Sequence, residues 1–261
     1  MDENETIKKD KPVQIFSNKG NFNEISVIKS QIKITILEML KSNEMAFEDI
    51  VKNTGKSKST ISVHLKELKN KGLVSFKQDS NDNRRKTFYL TSQFLGSVDF
   101  RESNELKENN QEYLIENFIN GSDFDMSFLL FHSIRSALIQ KGINIDPILY
   151  EVGINIGNAL SHLLYDEDFD KFLMNISNFW KQKGLGEINI KKGQVIKITS
   201  KDCWECQYIP KTGKPTCYLD LGILEAVFAS FFGFEIEVVE IQCYTMGDDQ
   251  CVFEISPKAK V

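Results

Sequence analysis

Three consecutive segments with apolar residues at three- and four-residue steps, all before residue 72, limit the folds open to this chain more than any other feature. The spacing predicts an amphipathic helix over 25–40. A second, shorter helix is predicted to end at Gly55, and a third to begin after Ser57 or Ser59, either of which can cap it. The inward face of this third helix is apolar and consists of Ile61, Leu65 and Leu68.

Two short extended stretches, 73–77 and 86–90, follow these helices and are joined by a turn rich in Asp and Asn. Three helices and then a hairpin are the element order of a winged helix-turn-helix. The sequence therefore predicts this fold for residues 23–95. Residues 1–22 are polar and show no apolar period, so they are predicted to form a mobile arm.

Basic residues are concentrated within this predicted domain. Residues 55–90 contain nine Lys and Arg against three Asp and Glu, a net charge of +6. The whole chain carries −5, so the remainder carries −11. A basic island in an acidic protein indicates one face that meets phosphate while the rest avoids it. The partner that this distribution predicts is double-stranded DNA.

Residues that contact DNA are predicted at two places. A helix in the major groove presents short polar or basic side chains near its N-terminus, and a wing reaches the DNA backbone or minor groove with its tip. The candidates in the third helix are Ser57, Lys58, Ser59, Thr60, Ser62 and His64, and those in the wing are Arg84, Arg85 and Lys86. His64 could instead pack beneath the wing.

The segment Ser62–Val74 resembles the recognition helix and the start of the wing in ArsR/MarR-like winged-helix repressors. The resemblance covers about residues 25–90. It implies transcriptional control, as a repressor, by a homodimer on a two-fold operator.

All five cysteines lie in the last quarter of the chain. The chain has no export signal and no apolar run long enough to span a membrane, which predicts a cytoplasmic protein without a membrane partner. In that compartment clustered cysteines indicate metal or redox chemistry rather than structural disulfides. Residues 122–257 show helical periods, then extended segments and a last hairpin, which predicts a second, α+β domain. An acidic linker over 96–121, which could include a dimerising helix, would join the two domains.

Three cysteines and one glutamate of this domain could form a closed tetrahedral zinc site. Cys217, Cys243 and Cys251 offer thiolates and Glu240 a carboxylate, which is the ligand number of structural zinc. Cys243 and Cys251 flank the turn of the last hairpin, so they are predicted to be neighbours. Glu240 and Cys243 would point to opposite faces of a regular strand, so the site requires a β-bulge, which is plausible at Val238–Val239.

The same residues resemble the 4-vinyl reductase (4VR) domain, most strongly over the final forty residues. The resemblance implies a structural zinc held by Cys217, Glu240, Cys243 and Cys251 beside a buried ligand pocket. A winged helix followed by a 4VR domain is similar to the archaeal regulators of the MsvR family. That order implies cysteines that switch DNA binding with redox state.

Cys203 and Cys206 form an additional Cys-x-x-Cys pair just before the zinc-like set. The pair could be a dithiol switch, could replace Glu240 with a metal ligand, or could be inert. A metal site and a switch are compatible, because oxidation of zinc thiolates ejects the metal.

The combined interpretation is an α+β, DNA-binding transcription regulator whose cysteine-rich domain senses redox state through thiols, a bound metal or both. One alternative is a regulator that binds a small-molecule effector and holds purely structural zinc. The other is an enzyme of the tetrapyrrole vinyl reductase type. The sequence argues against an enzyme, because it contains neither a dinucleotide-binding glycine motif nor a metal triad with an open position.

Overall fold

The protein divides into two compact units of mixed helix and strand, which confirms the predicted α+β class. One unit takes the residues up to 102 together with 141–144, and the other takes 103–140 together with 145–261. The computed structural model describes residues 12–18, 21–78, 85–99, 110–120 and 125–258. None of the helices in this described part is both long and apolar enough to span a membrane.

Three helices and a small antiparallel sheet build the winged helix of the first unit. The helices are α1 (Gln31–Ser42), α2 (Phe47–Thr54) and α3 (Lys58–Asn70). The sheet has the strand order β3-β5-β4 and consists of β3 (Met45–Ala46), β4 (Val74–Gln78) and β5 (Lys86–Leu90). The predicted inward face of α3 is buried against the apolar sides of α1 and α2, in a core that includes Ile36, Leu37, Ile50, Ile61, Leu65 and Leu68.

A second sheet in this unit corrects the prediction for the N-terminal residues. Its order is β2-β1-β6-β7, formed by β1 (Val13–Asn18), β2 (Asn21–Ile28), β6 (Ser92–Val98) and β7 (Ile143–Asn144). The mobile arm is wrong from Val13 onward, because β1 pairs with a strand on each side and buries Phe16 completely. The helix predicted over 25–40 begins only at Gln31, since Ile28 ends β2. Residues 1–11 lie outside the described part.

The predicted domain boundaries also differ from the observed units. β6 extends the first unit past residue 95, and β7 belongs to that unit although its residues fall within the predicted range 122–257. The predicted linker 96–121 contains one helix, α4 (Asn110–Ile119), between residues that the structure does not describe. A dimerising role for α4 stays a prediction.

Four further helices and a four-stranded antiparallel sheet form the second unit, close to their predicted positions. The helices are α5 (Met126–Gln140), α6 (Asp146–Leu164), α7 (Phe169–Gln182) and α8 (Tyr218–Phe232). The sheet has the order β10-β11-β9-β8 and consists of β8 (Glu187–Lys191), β9 (Ile196–Lys201), β10 (Ile236–Gln242) and β11 (Cys251–Pro257). Its core includes all five cysteines among apolar side chains such as Phe172, Ile176, Trp180, Val227, Phe228 and Phe253.

Glycines hold α6 and α8 in backbone contact. A Cβ on Gly153 would lie 2.3 Å from the carbonyl oxygen of Leu219, and a Cβ on Gly222 would lie 2.3 Å from that of Tyr150. Any larger residue would push the helices apart. The close contact fixes the first turn of α8, where Cys217 is the N-cap residue.

Candidate nucleic-acid interface and candidate metal centre

The third helix, α3, presents a mostly polar face opposite its buried side. The exposed residues recur at the spacing of a single helical face and are Ser59, Ser62, Val63 and Lys66. Val63 is 55% exposed, and it is absent from the set of predicted DNA contacts. Its signal was a valine amid the predicted polar positions. A valine on a major-groove face can contact the methyl group of thymine.

Two of the predicted contacts serve the helix terminus. Ser57 is the N-cap of α3, and its Oγ accepts a hydrogen bond from the Thr60 backbone N–H at 3.2 Å. The Ser57 Oγ also lies 2.8 Å from the Thr60 Oγ1. Lys58, the first residue of the helix, forms an exposed ion pair with Glu48 of α2 at 2.8 Å. A DNA phosphate at this point would compete with Glu48 for the Lys58 ammonium.

His64 packs against its own helix and α1. Its side chain is only 21% exposed, and Nδ1 lies 3.6 Å from the Glu67 carboxylate. That carboxylate is 2.8 Å from the Lys33 ammonium of α1. The geometry therefore favours packing over a direct base contact for His64.

Three lysines surround a groove of about 470 Å³ between α3 and the strands β4 and β5. Lys66 and Lys69 come from α3, and Lys86 is the first residue of β5. The ammonium groups of Lys69 and Lys86 lie 4.4 and 4.6 Å from the centre of the Phe76 ring, so one aromatic face attracts both. Arg85 directly precedes β5, and Arg84 lies outside the described residues. The recognition helix and the base of the wing thus share one basic groove.

Five buried cysteine sulfurs form one cluster in the second unit, and all five are free thiols. The Cys217 sulfur lies 3.6 Å from that of Cys203, 3.7 Å from that of Cys251 and 3.8 Å from that of Cys243. The Cys206 and Cys251 sulfurs are 3.2 Å apart, and those of Cys243 and Cys251 are 4.0 Å apart. The cluster therefore includes the Cys-x-x-Cys pair as well as the predicted zinc set.

The predicted β-bulge is present and turns Glu240 toward the cluster. Glu240 pairs with Phe253 and Gln242 with Val252, so Ile241 is the extra residue of β10. The bulge lies just after the Val238–Val239 doublet that predicts it. Glu240 is only 6% exposed as a result.

The Glu240 carboxylate has one free oxygen. Its Oε2 accepts a hydrogen bond from the Cys217 backbone N–H at 3.0 Å, while the buried Oε1 has no hydrogen-bond partner among the described residues. Burial raises the pKa of Glu240 to about 9. A cation at Oε1 would stabilise the charged form that burial disfavours.

Two overlapping groups of four side chains have the geometry of a metal site. Within each group the potential ligand atoms lie within 4.8 Å of one another. The first group is the predicted set, Cys217, Glu240, Cys243 and Cys251, and the second is Cys203, Cys206, Cys217 and Cys251. Their sulfur donors match the preference of zinc for thiolate.

A buried ion pair that the sequence analysis missed holds the Cys-x-x-Cys loop in place. Glu205, between the two cysteines, accepts hydrogen bonds from the backbone N–H groups of Leu219 and Asp220 at 3.0 and 2.9 Å. Arg135 of α5 lies 2.8 Å from the same carboxylate and also donates to the carbonyl oxygen of Thr216. One available signal was that Arg135 is the only Lys, Arg, Asp or Glu in α5.

An aromatic cluster anchors the same loop to α5. The Trp204 ring lies 4.6 Å from that of Phe131, 5.5 Å from that of His132 and 6.0 Å from that of Phe128, measured between centroids. Burial lowers the pKa of His132 to about 4, so its imidazole is neutral at pH 7. Phe128 and Trp204 also line a cleft of about 550 Å³ that opens to the surface beside Lys183.

Two family models match the chain in the regions just described. The model of the bacterial regulatory protein, arsR family, matches residues 30–75, and the model of the vinyl-4-reductase (4VR) domain matches 196–257. The chain carries an ArsR-family helix-turn-helix and a 4VR domain. The ArsR match extends from the start of α1 into β4, and the 4VR match includes all five cysteines. Both resemblances found in the sequence are thereby confirmed.

Three uncharacterized proteins of Methanocaldococcus jannaschii are similar in sequence. They are 29%, 25% and 24% identical over 137, 135 and 128 residues. The matches cover 52%, 51% and 48% of this chain and 79%, 76% and 66% of the relatives.

Two solved structures are similar at low identity. A vinyl-4-reductase family protein from Methanocaldococcus jannaschii is 20% identical, with a TM-score of 0.38, over 61% of this chain and 92% of that one. The phenol-responsive sensory domain of the transcription activator PoxR with phenol is 12% identical, with a TM-score of 0.37, over 76% of this chain and 90% of that one.

Proposed function

We propose that this protein is a transcription regulator that binds operator DNA as a homodimer and whose 4VR domain adjusts that binding through its cysteine cluster. The observation that carries the proposal is the basic groove between α3 and the wing. Lys66, Lys69 and Lys86 meet there, within the unit that contains the ArsR match. Ser59, Ser62 and Val63 on the adjacent face of α3 are placed to read base edges.

The metal that best fits the predicted set is zinc. The three sulfurs of Cys217, Cys243 and Cys251 are 3.7 to 4.0 Å apart, close to the spacing of about 3.8 Å that tetrahedral zinc requires with bonds of about 2.3 Å. The unpartnered oxygen of Glu240 supports its role as the fourth ligand. When bound, zinc supplies a cross-link that joins β10, β11 and the first turn of α8.

Oxidation of the cluster would remove that cross-link. Two thiols that give two electrons to a peroxide or a disulfide form an S–S bond, release two protons and no longer bind metal. The Cys-x-x-Cys loop and the first turn of α8 share the Glu205 carboxylate, so a change at one moves the other. This is the structural step through which redox state would reach the rest of the protein.

A salt titration tests the DNA-binding part. Duplexes selected from a random pool with the reduced protein are bound at increasing salt, and the slope of log affinity against log salt is measured. Replacing Lys58 or Lys66 with Ala should flatten the slope by roughly one unit each, because each lost phosphate contact releases fewer counterions. Lys171→Ala, an exposed change in α7 of the 4VR unit, is the control and should leave the slope unchanged. Failure of both reduced and oxidised protein to retain any duplex at low salt would refute the function.

A small-molecule effector is a second candidate signal. The cleft of about 550 Å³ beside Trp204 has the size of a ligand pocket and adjoins the Cys-x-x-Cys loop. A compound that acts there should quench or shift Trp204 fluorescence and change DNA affinity in the same concentration range. Binding that leaves DNA affinity unchanged would exclude this candidate for that compound.

A further inference from the structure

We infer that the cysteine cluster holds two divalent metal ions, which share the thiolates of Cys217 and Cys251. This inference rests on the metal centre proposed above and adds a second ion to it. The first ion is bound by the predicted set, with Glu240 and Cys243 as its unshared ligands. The second ion is bound by Cys203 and Cys206 together with the two shared sulfurs.

The geometry of the two ligand groups supports a bridged pair. Each group alone brings four donors within 4.8 Å of one another, which is enough for one tetrahedral ion. Cys217 and Cys251 belong to both groups, and their sulfurs are 3.7 Å apart. Two tetrahedra that share an edge have two ligands in common, and with metal–sulfur bonds of about 2.3 Å that edge is about 3.8 Å long.

A single ion leaves two buried donors without a partner. If the ion occupies the predicted set, the thiols of Cys203 and Cys206 remain, and both residues are 0% exposed. If it occupies the other group, Cys243 and the free oxygen of Glu240 remain. Two ions satisfy all six side chains. Unsatisfied polar groups are expensive in a buried site, so the two-ion arrangement agrees best with the observed burial.

The close approach of Cys206 and Cys251 agrees with a shared cation. Their sulfurs are 3.2 Å apart, well beyond the roughly 2.05 Å of a disulfide bond. Two thiolates held at this distance repel each other unless a cation lies between or beside them. The second ion contacts both sulfurs.

The second ion adds no net charge to the buried site. With one ion, three thiolates and one carboxylate give four negative charges against two positive ones, which leaves a net charge of −2. The second ion brings two positive charges and converts two further thiols, Cys203 and Cys206, into thiolates. The net charge therefore stays at −2, and the protons of those thiols go to solvent.

The loop that carries the second site is already rigid. Glu205 is fixed by two backbone N–H groups of α8 and by Arg135, and Trp204 is packed among α5 side chains. Cys203 and Cys206 therefore do not need to be ordered by the metal. Such preorganisation favours a closed, structural site.

Metal counting on the full chain tests the inference. The protein is purified under reducing conditions, loaded with zinc and desalted, and zinc is measured per chain by elemental analysis and native mass spectrometry. We expect two ions for the wild type and one for the Cys203→Ser/Cys206→Ser double variant. Thr216→Ser, a conservative change at a buried residue that supplies no ligand, is the control and should retain two.

X-ray absorption at the zinc edge gives a second readout that does not depend on the variants. A bridged pair produces metal–metal scattering, which we expect in the wild type and not in the double variant. Glu240→Gln keeps the Cys203, Cys206, Cys217 and Cys251 group complete and should retain at least the second ion.

The possible results separate the inference from the proposed function. One ion in the wild type, or two without metal–metal scattering, would overturn the bridged pair and leave the regulator proposal intact. No ion in the reduced wild type would overturn both the pair and the proposed zinc centre. The DNA titration described above is independent of all three results.

Discussion

Replacing Arg135 by Met should destabilise the 4VR unit more than almost any other single change outside the cysteine cluster. Arg135 is 2% exposed and its partner Glu205 is 1% exposed, with 2.8 Å between the charged atoms. Removing one partner of such a buried pair leaves the other charge uncompensated, at a typical loss of about 3–5 kcal/mol.

Two remaining contacts place the expected loss at the lower end of that range. Without Arg135 the Glu205 carboxylate still accepts two backbone hydrogen bonds at the start of α8, from Leu219 and Asp220. We therefore expect the free energy of unfolding to fall by about 3 kcal/mol. Adding Glu205→Gln removes the unpaired charge, and the Gln oxygen can still accept one of these bonds. The double variant should recover about 2 kcal/mol of the loss.

Urea unfolding followed by tryptophan fluorescence measures all four proteins of this cycle, with metal bound and after chelation. Lys181→Met is the matched control, because the Lys181–Glu187 pair has the same 2.8 Å distance but is largely exposed. Its unfolding midpoint should not change. If the effects of Arg135→Met and Glu205→Gln simply add, the pair does not act as a unit and this account of the Cys-x-x-Cys loop is wrong.

Three other predictions concern the recognition helix, the aromatic cluster and the contact between α6 and α8. Replacing thymine by uracil in a selected duplex should weaken binding of the wild type but not of Val63→Ala, because only the methyl contact is removed; equal losses would exclude that contact. Between pH 6.5 and 4 the wild type should lose up to about 3 kcal/mol of stability, since the unfolded state binds a proton that buried His132 does not. Urea unfolding at pH 7 and 5 should show that His132→Phe lacks this part of the pH dependence. Gly153→Leu should separate the two helices and lower both the unfolding midpoint and the metal content; unchanged values would contradict the close contact.

Local pattern was sufficient for most of the helices and for the winged-helix order. The inner face of α3 follows a strict helical period, and the cysteines at the last hairpin are neighbours through cross-strand pairing alone. Even the bulge at Glu240 had a local sign in the doublet before it. These features depend on residues that are close in sequence.

Features that depend on distant partners were not predictable in the same way. β1 contains only three apolar residues, and it is a strand because β2 and β6 satisfy its backbone on both sides. The Arg135–Glu205 pair joins residues 70 positions apart. Inclusion of Cys203 and Cys206 in the cluster depends on how the loop after β9 packs against α8, which spacing alone does not specify.

The two-residue strand β7 makes the two units inseparable at a single cut. The chain leaves α5, adds Ile143–Asn144 to the edge of the N-terminal sheet beside β6, and then begins α6. A fragment ending near residue 102 would lose that edge strand and expose the N–H and C=O groups of β6 to intermolecular pairing. The same detour ties both helices to the sheet of the ArsR unit through peptide bonds, so a pull on either helix end reaches that sheet along the backbone itself.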